Sequence, residues 1–252
     1  MKIILDTRFE QASKWLRSVV NGEFELTQIA GDASHRRFFR VGIDSGSYIL
    51  MDAPPEINEN EAFVRINQLF KKIRTPEIFA VNQQDGFFLE EDFGDETFYL
   101  RMKMGVDLGF YHKAIDSLLK LQEMSQPGIL PEYSRETLES EMNRFKEWYR
   151  GKYLQKSFSD KEDESWRKMV ALIVGRILQQ NKVYVFRDYH SRNMMILKGG
   201  ELGMLDYQDA LYGPATYDLV SLLKDAYLKL THEQIEELLG YYQEHSGKSR
   251  QQ

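Results

Sequence analysis

"FRDYHSRNMMIL", residues 186 to 197, places Asp188 five positions ahead of Asn193, directly before a run of four apolar residues. The residues "VYVF" are typical of a strand, "RDYHSR" of a loop, and "NMMIL" of a second strand that turns through "GG" into "ELGMLDY". Asp188, Asn193 and Asp206 then all lie at strand edges. The stretch therefore predicts a small sheet with three polar side chains at its ends.

These three side chains match the chemistry of phosphoryl transfer. An acid can accept a hydroxyl proton, while an amide oxygen and a second carboxylate can hold Mg2+. Protein kinases use the same D-x-x-x-x-N spacing followed by a metal-binding Asp on the next hairpin, although Phe186 replaces the His of that loop here and "DYQ" replaces D-F-G. The alternative is that Asp188 and Asn193 only cap a turn, since both residue types are common in loops. The strand context and Asp206 favour the catalytic interpretation.

Composition limits the class of protein. The chain has 252 residues, 42% of them hydrophobic, which is enough to bury a large core as one large domain or two lobes. The net charge of -6 argues against a broad nucleic-acid surface, although local basic clusters remain possible. Without cysteine there are no disulfides, and any metal would need oxygen or imidazole ligands, which favours a hard cation such as Mg2+.

The hydropathy of the chain bears on its location. The apolar run near the N-terminus is too short for a signal-peptide core, and no later stretch approaches the length of a membrane span. We therefore expect a cytoplasmic protein with no membrane partner. The sequence leaves the oligomeric state open.

Two patterns divide the chain into a predicted N-terminal lobe, residues 1–92, and a C-terminal lobe, residues 93–252. After a short helix at 9–20, the first lobe reads as five strands and one packed helix: strands at 24–30, 36–42 and 48–53, the helix at 58–73, and a hairpin formed by "EIFAVN" and "FFLEED". In the second lobe we expect helices near 106–124, 134–155 and 160–181, followed by one small sheet. The predicted class is therefore α+β.

Four further segments give the chain a resemblance to a known family. Taken with the opening stretch, "GDASHRRFFR", "LMDAPPE", "LEEDFGD" and "DYQDALYGPATYDL" are similar to the aminoglycoside phosphotransferase family of small-molecule kinases. Within it the chain resembles bacterial cell-wall-recycling kinases that phosphorylate N-acetylmuramate and N-acetylglucosamine at the anomeric hydroxyl. The resemblance runs from about residue 10 to residue 247. It implies a bilobal protein-kinase-like fold with a small β-rich N-lobe and a larger helical C-lobe, ATP and Mg2+ as cofactors, and a small sugar as acceptor.

The resemblance also implies roles for single residues. Asp188 is the implied catalytic base, and Asn193 and Asp206 are the implied Mg2+ ligands. Asp218 is implied to brace the catalytic loop, whereas its position alone suggests capping of the helix "LVSLLKDAYLKL", and both roles can hold. The hinge whose backbone meets adenine is implied to consist of Glu90, Glu91, Asp92 and Phe93.

Three residues around the catalytic loop are candidates for contact with the acceptor: Asp209, Arg187 and His190. Asp209 follows the metal carboxylate by three residues, where such kinases begin to line the acceptor pocket, and the competing interpretation is a turn carboxylate. His190 has no second His at ligand spacing, so a hydrogen-bonding role inside the loop is favoured over metal binding.

The turn "GDAS" is expected to lie over the nucleotide phosphates. Its backbone N–H groups and one hydroxyl can face anionic oxygens, and they belong to Gly31, Asp32, Ala33 and Ser34. Along the strand that follows, Arg36 and Arg40 share one face and Arg37 the other.

The third strand departs from the general kinase pattern. It carries Met51 where V-A-I-K would supply a phosphate-binding lysine. An arginine of "HRRFFR" is therefore expected to supply the missing charge, and Arg37 is the one assigned to the predicted nucleotide site. The competing interpretation of these arginines is a solvated cationic edge strand.

Two alternatives to a sugar kinase stay open. One is a kinase for another small alcohol or an aminoglycoside. The other is a nucleotide-binding pseudokinase or interaction module, which Met51 and the short C-terminus favour and the set of Asp188, Asn193 and Asp206 argues against. The chain also ends at "YYQEHSGKSRQQ", where the resembled kinases continue into further helices, and this predicts an incomplete C-terminal lobe.

Overall fold

A computed structural model describes residues 6–29, 36–58 and 60–247. The chain forms two compact units, Met1–Arg101 with Arg192–Gln208, and Met102–Ser191 with Asp209–Gln252. This division differs from the predicted boundary after residue 92 because a C-terminal hairpin hydrogen-bonds to the N-terminal part. The Ile196 N–H donates to the Glu96 carbonyl at 2.8 Å, and the Met204 N–H donates to the Arg74 carbonyl at 2.7 Å.

The elements of the first unit are α1 (Thr7–Val19), β1 (Glu25–Ile29), β2 (Arg37–Ile43), β3 (Gly46–Asp52), α2 (Asn60–Leu69), β4 (Ile78–Asn82), β5 (Phe87–Glu91), β7 (Met194–Ile196) and β8 (Leu202–Met204), with α3 (Phe98–Met104) spanning the end of its first segment. Five of the strands form an antiparallel sheet in the order β1-β2-β3-β5-β4. The hairpin β7–β8 completes the unit.

Helix α1 covers one face of this sheet. Asp6 caps the helix by accepting a hydrogen bond from the Phe9 N–H at 2.9 Å. Leu16 and its helical neighbours pack against Phe39, Leu50 and other alternating residues of the strands. The strands and the two helices predicted for the first lobe are therefore present, with ends shifted by a few residues.

The other face of the sheet packs against α2 and the segment after β8. The Phe63 ring contacts Phe88 at 5.4 Å between centroids and stacks on Tyr207 at 5.0 Å. The Tyr207 hydroxyl accepts a hydrogen bond of 2.8 Å from the Asn67 side chain. These contacts hold the residues around position 206 against α2.

The second unit is mostly helical. It contains α4 (Leu108–Glu123), α5 (Arg135–Arg144), a π-helix (Phe145–Tyr153), α6 (Asp160–Ile177), β6 (Lys182–Val185), β9 (Leu211–Pro214), α7 (Tyr217–Leu223) and α8 (His232–His245), with a short 3-10 turn (Ser191–Asn193) at its boundary. Its core includes Tyr133, Leu138, Val174 and Val185. Among the described residues, no helix combines the length and apolar character that crossing a membrane requires.

The expectation of one small sheet in the second lobe is wrong. β7 pairs with β8, as the turn "GG" predicts, but β6 pairs with β9, a strand that no sequence pattern predicts. Strand β9 is only four residues long and contains Gly213 and Pro214, residue types that are depleted in strands. The two pairs belong to different units.

Candidate active site

A cavity of about 390 Å³ lies in the first unit. This volume is in the range of small-molecule sites, which are roughly 300 to 1,000 Å³. Apolar side chains such as Ile49, Met51 and Leu205 line it, together with a small number of charged groups. The mixture suits a ligand with a flat apolar part and a charged part.

Both predicted metal ligands line this cavity. The backbone fixes them together, because the Leu205 N–H donates to the Asn193 carbonyl at 2.8 Å. Asp206 has a φ of +63°, in the left-handed region that non-glycine residues rarely adopt. Such conformations cluster at functional sites, where the surrounding structure holds them.

The donor set fits Mg2+ rather than a softer metal. Asn193 and Asp206 offer amide and carboxylate oxygens, which are hard ligands. Within the parts of the chain that the structure describes, no group of three or more His, Asp or Glu side chains is arranged to hold a metal. A site with two protein oxygens suits Mg2+, which commonly keeps waters and phosphate oxygens among its ligands.

The predicted hinge residues line the same cavity. The Glu91 side chain pairs with Arg74, and its N–H donates to the Glu77 carbonyl at 2.8 Å. Asp92 accepts hydrogen bonds from Arg40 and Ser47, each at 2.6 Å. Burial acts to raise the pKa of Asp92, but these hydrogen bonds outweigh burial and hold it below its usual range.

Phe93 anchors the end of the hinge. Its ring packs so closely on the backbone of β8 that a Cβ atom added at Gly203 would lie 2.4 Å from it. The Arg74 guanidinium covers the ring at 4.9 Å from its centroid. The hinge and the hairpin that follows Asn193 are thereby tied to each other.

The assignment of Arg37 to the nucleotide site is corrected. Arg37 does not line the cavity, and it forms ion pairs of 2.6 Å with Asp6 and with the buried Asp52. The reason is the register, since Arg37 and Asp52 are opposite each other on β2 and β3. Arg36 and Arg40, the arginines of the other face, line the cavity instead.

Four predicted nucleotide-binding residues, Gly31, Asp32, Ala33 and Ser34, lie outside the described residues. The nearest described residues on either side are Ile29 and Arg36, and both line the cavity. The expectation that this turn covers the phosphates stays a prediction.

In the second unit, Asp218 supports the loop that contains Asp188. Its carboxylate accepts hydrogen bonds from the Phe186 N–H at 2.6 Å and the Arg187 N–H at 2.9 Å. Thr216, not Asp218, occupies the N-cap position of α7, and within the described part of the chain no side chain makes a cap hydrogen bond there. The alternative role of Asp218 as a helix cap is therefore not observed.

Burial raises the pKa of Asp218 to about 7, and the nearby Asp188 charge adds to that rise while the two backbone N–H groups oppose it. Asp188 itself is half-buried, and its carbonyl accepts a hydrogen bond of 3.0 Å from the His190 N–H. The carboxyl groups of Asp188 and Asp218 therefore interact electrostatically, one in the catalytic loop and the other in the helix that supports this loop.

The candidate acceptor residues also lie in the second unit. Arg187 has a φ of +81°, and its guanidinium donates to Glu141 at 2.7 Å. Asp209 is exposed, and its charge contributes to the raised pKa of Arg187. The His190 ring meets the Tyr227 ring edge-on, 5.5 Å between centroids.

Glu141 also belongs to the group of residues around Arg187, although the sequence does not indicate it. Glu141 pairs with Arg187 and also accepts hydrogen bonds from the Tyr133 and Tyr217 hydroxyls. It lies 46 positions before Arg187, within a helix rich in charged residues. Nothing in its local pattern distinguishes it from the solvent-facing acids around it.

Known proteins resemble this chain over most of its length. The model of the phosphotransferase enzyme family matches residues 25–251. A Neisseria meningitidis protein named N-acetylmuramate/N-acetylglucosamine kinase is 38% identical over 236 residues, which are 91% of this chain and 70% of that protein. This chain belongs to the phosphotransferase enzyme family. A Pseudomonas putida protein of the same name is 36% identical to this phosphotransferase over 250 residues, or 94% of this chain and 74% of that protein.

Solved structures confirm the predicted protein-kinase-like fold. The streptomycin–ATP ternary complex of APH(2'')-IIa matches with a TM-score of 0.65 at 14% identity, covering 96% of this chain and 83% of that chain. Choline kinase LicA from Streptococcus pneumoniae matches with a TM-score of 0.61 at 12% identity, and the match covers 97% of this chain and 93% of that chain. At these identities the likeness concerns the fold alone.

Proposed function

We propose that this phosphotransferase transfers the γ-phosphoryl group of ATP to the anomeric hydroxyl of N-acetylmuramate or N-acetylglucosamine. The observation that carries the proposal is the meeting of Asn193, Asp206 and the hinge segment around one cavity. The acceptor class is supported by the two relatives at 38% and 36% identity, both named kinases for these sugars.

The nucleotide is assigned to the cavity of the first unit. Adenine is a flat ring with apolar faces, and Ile49, which lines the cavity, lies opposite the hinge residue Glu90 on the neighbouring strand. Asn193 and Asp206 would hold Mg2+, which neutralises charge on the β- and γ-phosphates when it is bound. Apolar walls strengthen the electrostatic interactions of the phosphates because they exclude water.

Asp188 is assigned as the base. It accepts the proton of the acceptor hydroxyl as the acceptor oxygen bonds to the γ-phosphorus. The bond between that phosphorus and the β–γ bridging oxygen breaks, and ADP leaves with the bonding electrons. Asp218 acts through the backbone of the Asp188 loop, so it is a positioning residue.

The competing functions make different predictions. A kinase for another small alcohol or an aminoglycoside would use the same nucleotide site with another acceptor. A pseudokinase would bind nucleotide without transfer, and membership of a phosphotransferase family does not favour it.

An acceptor panel separates these possibilities. ADP release is measured with Mg2+ and ATP against N-acetylmuramate, N-acetylglucosamine, glucose, choline and an aminoglycoside. We expect the two N-acetylated sugars to give the highest kcat/KM. Turnover of an aminoglycoside or choline with both sugars inert would contradict the proposed acceptor.

A further inference from the structure

A cluster of three charged residues lines the cavity of the first unit: Arg36, Glu90 and Asp206. Arg36 directly precedes β2, Glu90 belongs to β5, and Asp206 follows β8. Arg36 Nη1 lies 4.0 Å from Asp206 Oδ1, and 10% of the Arg36 side chain is exposed. Three different elements thus bring a nearly buried cation beside the proposed metal ligand.

Glu90 is unusual for a strand residue. It is 6% exposed, and its Oε1 atom is buried without a hydrogen-bond partner among the residues that the structure describes. Burial raises the pKa of Glu90, and the positive charge of Arg36 opposes that rise. Buried polar atoms are normally paired, so an unpaired oxygen on a residue that lines a ligand cavity indicates a partner that arrives or moves with the ligand.

The third strand, β3, lacks the positive charge that binds the nucleotide phosphates in protein kinases. Met51 lines the cavity at the position of the phosphate-binding lysine of protein kinases and brings no charge. Arg40 also lines the cavity but is held by Asp92 at 2.6 Å and Asp95 at 2.8 Å. Arg36 lies beside the proposed metal ligand, with its Nη1 atom 4.0 Å from Asp206 Oδ1.

We propose that Arg36 binds the nucleotide phosphates in place of the missing lysine, and that Glu90 positions its guanidinium. This inference rests on the proposed function. A guanidinium offers several N–H donors in a planar fork that matches two phosphate oxygens. The Arg36 guanidinium also lies over the Phe63 ring, 5.6 Å from its centroid, and this contact orients its flat face.

The test compares the binding of ATP and adenosine, since adenosine lacks the phosphates. Dissociation constants for both are measured by calorimetry with Mg2+ and without acceptor. Arg36→Met should weaken ATP binding by roughly 10- to 100-fold, the range of a charge-assisted hydrogen bond, and leave adenosine binding unchanged. The control is Arg17→Met, which removes the same charge from the exposed surface of α1.

Glu90→Gln separates positioning from a structural role. Measured at pH 9, above the pKa of about 8 that burial gives Glu90, the variant should weaken ATP binding by roughly 3- to 10-fold with little effect on adenosine, because a neutral amide holds the guanidinium less firmly than a carboxylate. In the Arg36→Met background, Glu90→Gln should cause no further loss. An equal loss in both backgrounds would mean that Glu90 acts independently of Arg36 and would overturn its positioning role.

The outcomes also separate this inference from the proposed function. A wild-type protein that binds neither ATP nor adenosine would contradict the function itself. Suppose that the wild-type protein binds both ligands and that Arg36→Met leaves the ratio of the two dissociation constants unchanged. That result would contradict the role of Arg36 alone. If Arg36→Met does not fold, Arg36→Lys replaces it: the lysine keeps the charge but loses the fork, so the ATP preference should fall by roughly 3- to 10-fold.

Discussion

Asp218 Oδ1 accepts a hydrogen bond of 2.9 Å from the backbone N–H of Arg187, a residue held at a φ of +81°. A non-glycine residue in this region costs of order 1 to 3 kcal/mol, and the conformation persists only where interactions with its surroundings hold it. The same carboxylate accepts the neighbouring N–H of Phe186. Asp218 thus stabilises the backbone conformation that leads directly into Asp188.

Asp218→Ala should lower both stability and activity. It leaves the N–H groups of Phe186 and Arg187 without their acceptor, at a cost of about 1 to 3 kcal/mol for each buried group. At roughly 2 to 4 °C per kcal/mol, Tm should fall by at least ~4 °C. Asp218→Asn is the matched variant, since it keeps one acceptor oxygen and should lose less. An Asp218→Ala protein with wild-type Tm and kcat would contradict the bracing role.

Glu90 should make stability depend on pH. Burial raises its pKa from 4.5 to about 8, so the folded chain keeps a proton there that the unfolded chain loses. The favourable contribution of Glu90 to the free energy of unfolding is fully present below about pH 4.5. It is lost as pH rises through about 8, at up to ~1.4 kcal/mol per pH unit.

Glu90→Gln should abolish this dependence. Urea unfolding at a series of pH values is the measurement, and the free energy of unfolding of the variant relative to wild type should rise between about pH 5 and 8. Parallel pH profiles for the two proteins would show that Glu90 titrates normally in the folded state.

Asp206→Ala should remove the stabilisation by Mg2+ and ATP. Ligand at about 100 times its dissociation constant adds ~2.7 kcal/mol, which corresponds to a rise in Tm of roughly 5 to 10 °C. We expect this shift in wild type and a much smaller one in the variant, because a hard oxygen ligand is lost. Asp44→Ala, in an exposed turn, is the control and should keep the shift. An unaltered shift in Asp206→Ala would exclude Asp206 as a metal ligand.

Gly203→Ala should displace the hinge. The new methyl group would lie 2.4 Å from the Phe93 ring, and overpacking of this kind typically costs about 1 to 3 kcal/mol. Adenosine binding should weaken together with Tm. Gly240→Ala is the control, because it adds a methyl group inside α8 that, apart from the helix backbone, has no atom of the described residues within 4 Å, and it should raise stability by up to ~1 kcal/mol. Unchanged adenosine binding by Gly203→Ala would contradict the assignment of the hinge.

Much of the fold and part of the site follow from local sequence patterns. The alternation of side chains along β2 separates Arg36 and Arg40 from Arg37, and the structure has the same two faces. Alternation alone does not tell which face meets the cavity. That choice depends on Asp52, a buried acid at the end of β3 that lies opposite Arg37 and pairs with it.

Other features depend on contacts between distant segments. The pairing of β6 with β9 joins residues such as Val183 and Gly213, and the short strand β9 has no pattern of its own. Glu141 meets Arg187 only because α5 packs beside the loop after β6. The hairpin of residues 194–204 was predicted correctly, but its membership of the first unit results from hydrogen bonds to Arg74 and Glu96.

The most direct test of the proposed function is phosphorylation of N-acetylglucosamine beside its 1-deoxy analogue, which lacks the anomeric hydroxyl. Product is followed by phosphorus NMR with Mg2+ and ATP. We predict a sugar 1-phosphate from N-acetylglucosamine, none from the analogue, and a rate lower by ~10²- to 10⁴-fold in Asp188→Asn, which keeps the shape of the side chain but cannot accept the proton. Phosphorylation of the analogue, or an Asp188→Asn protein as active as wild type, would contradict the account.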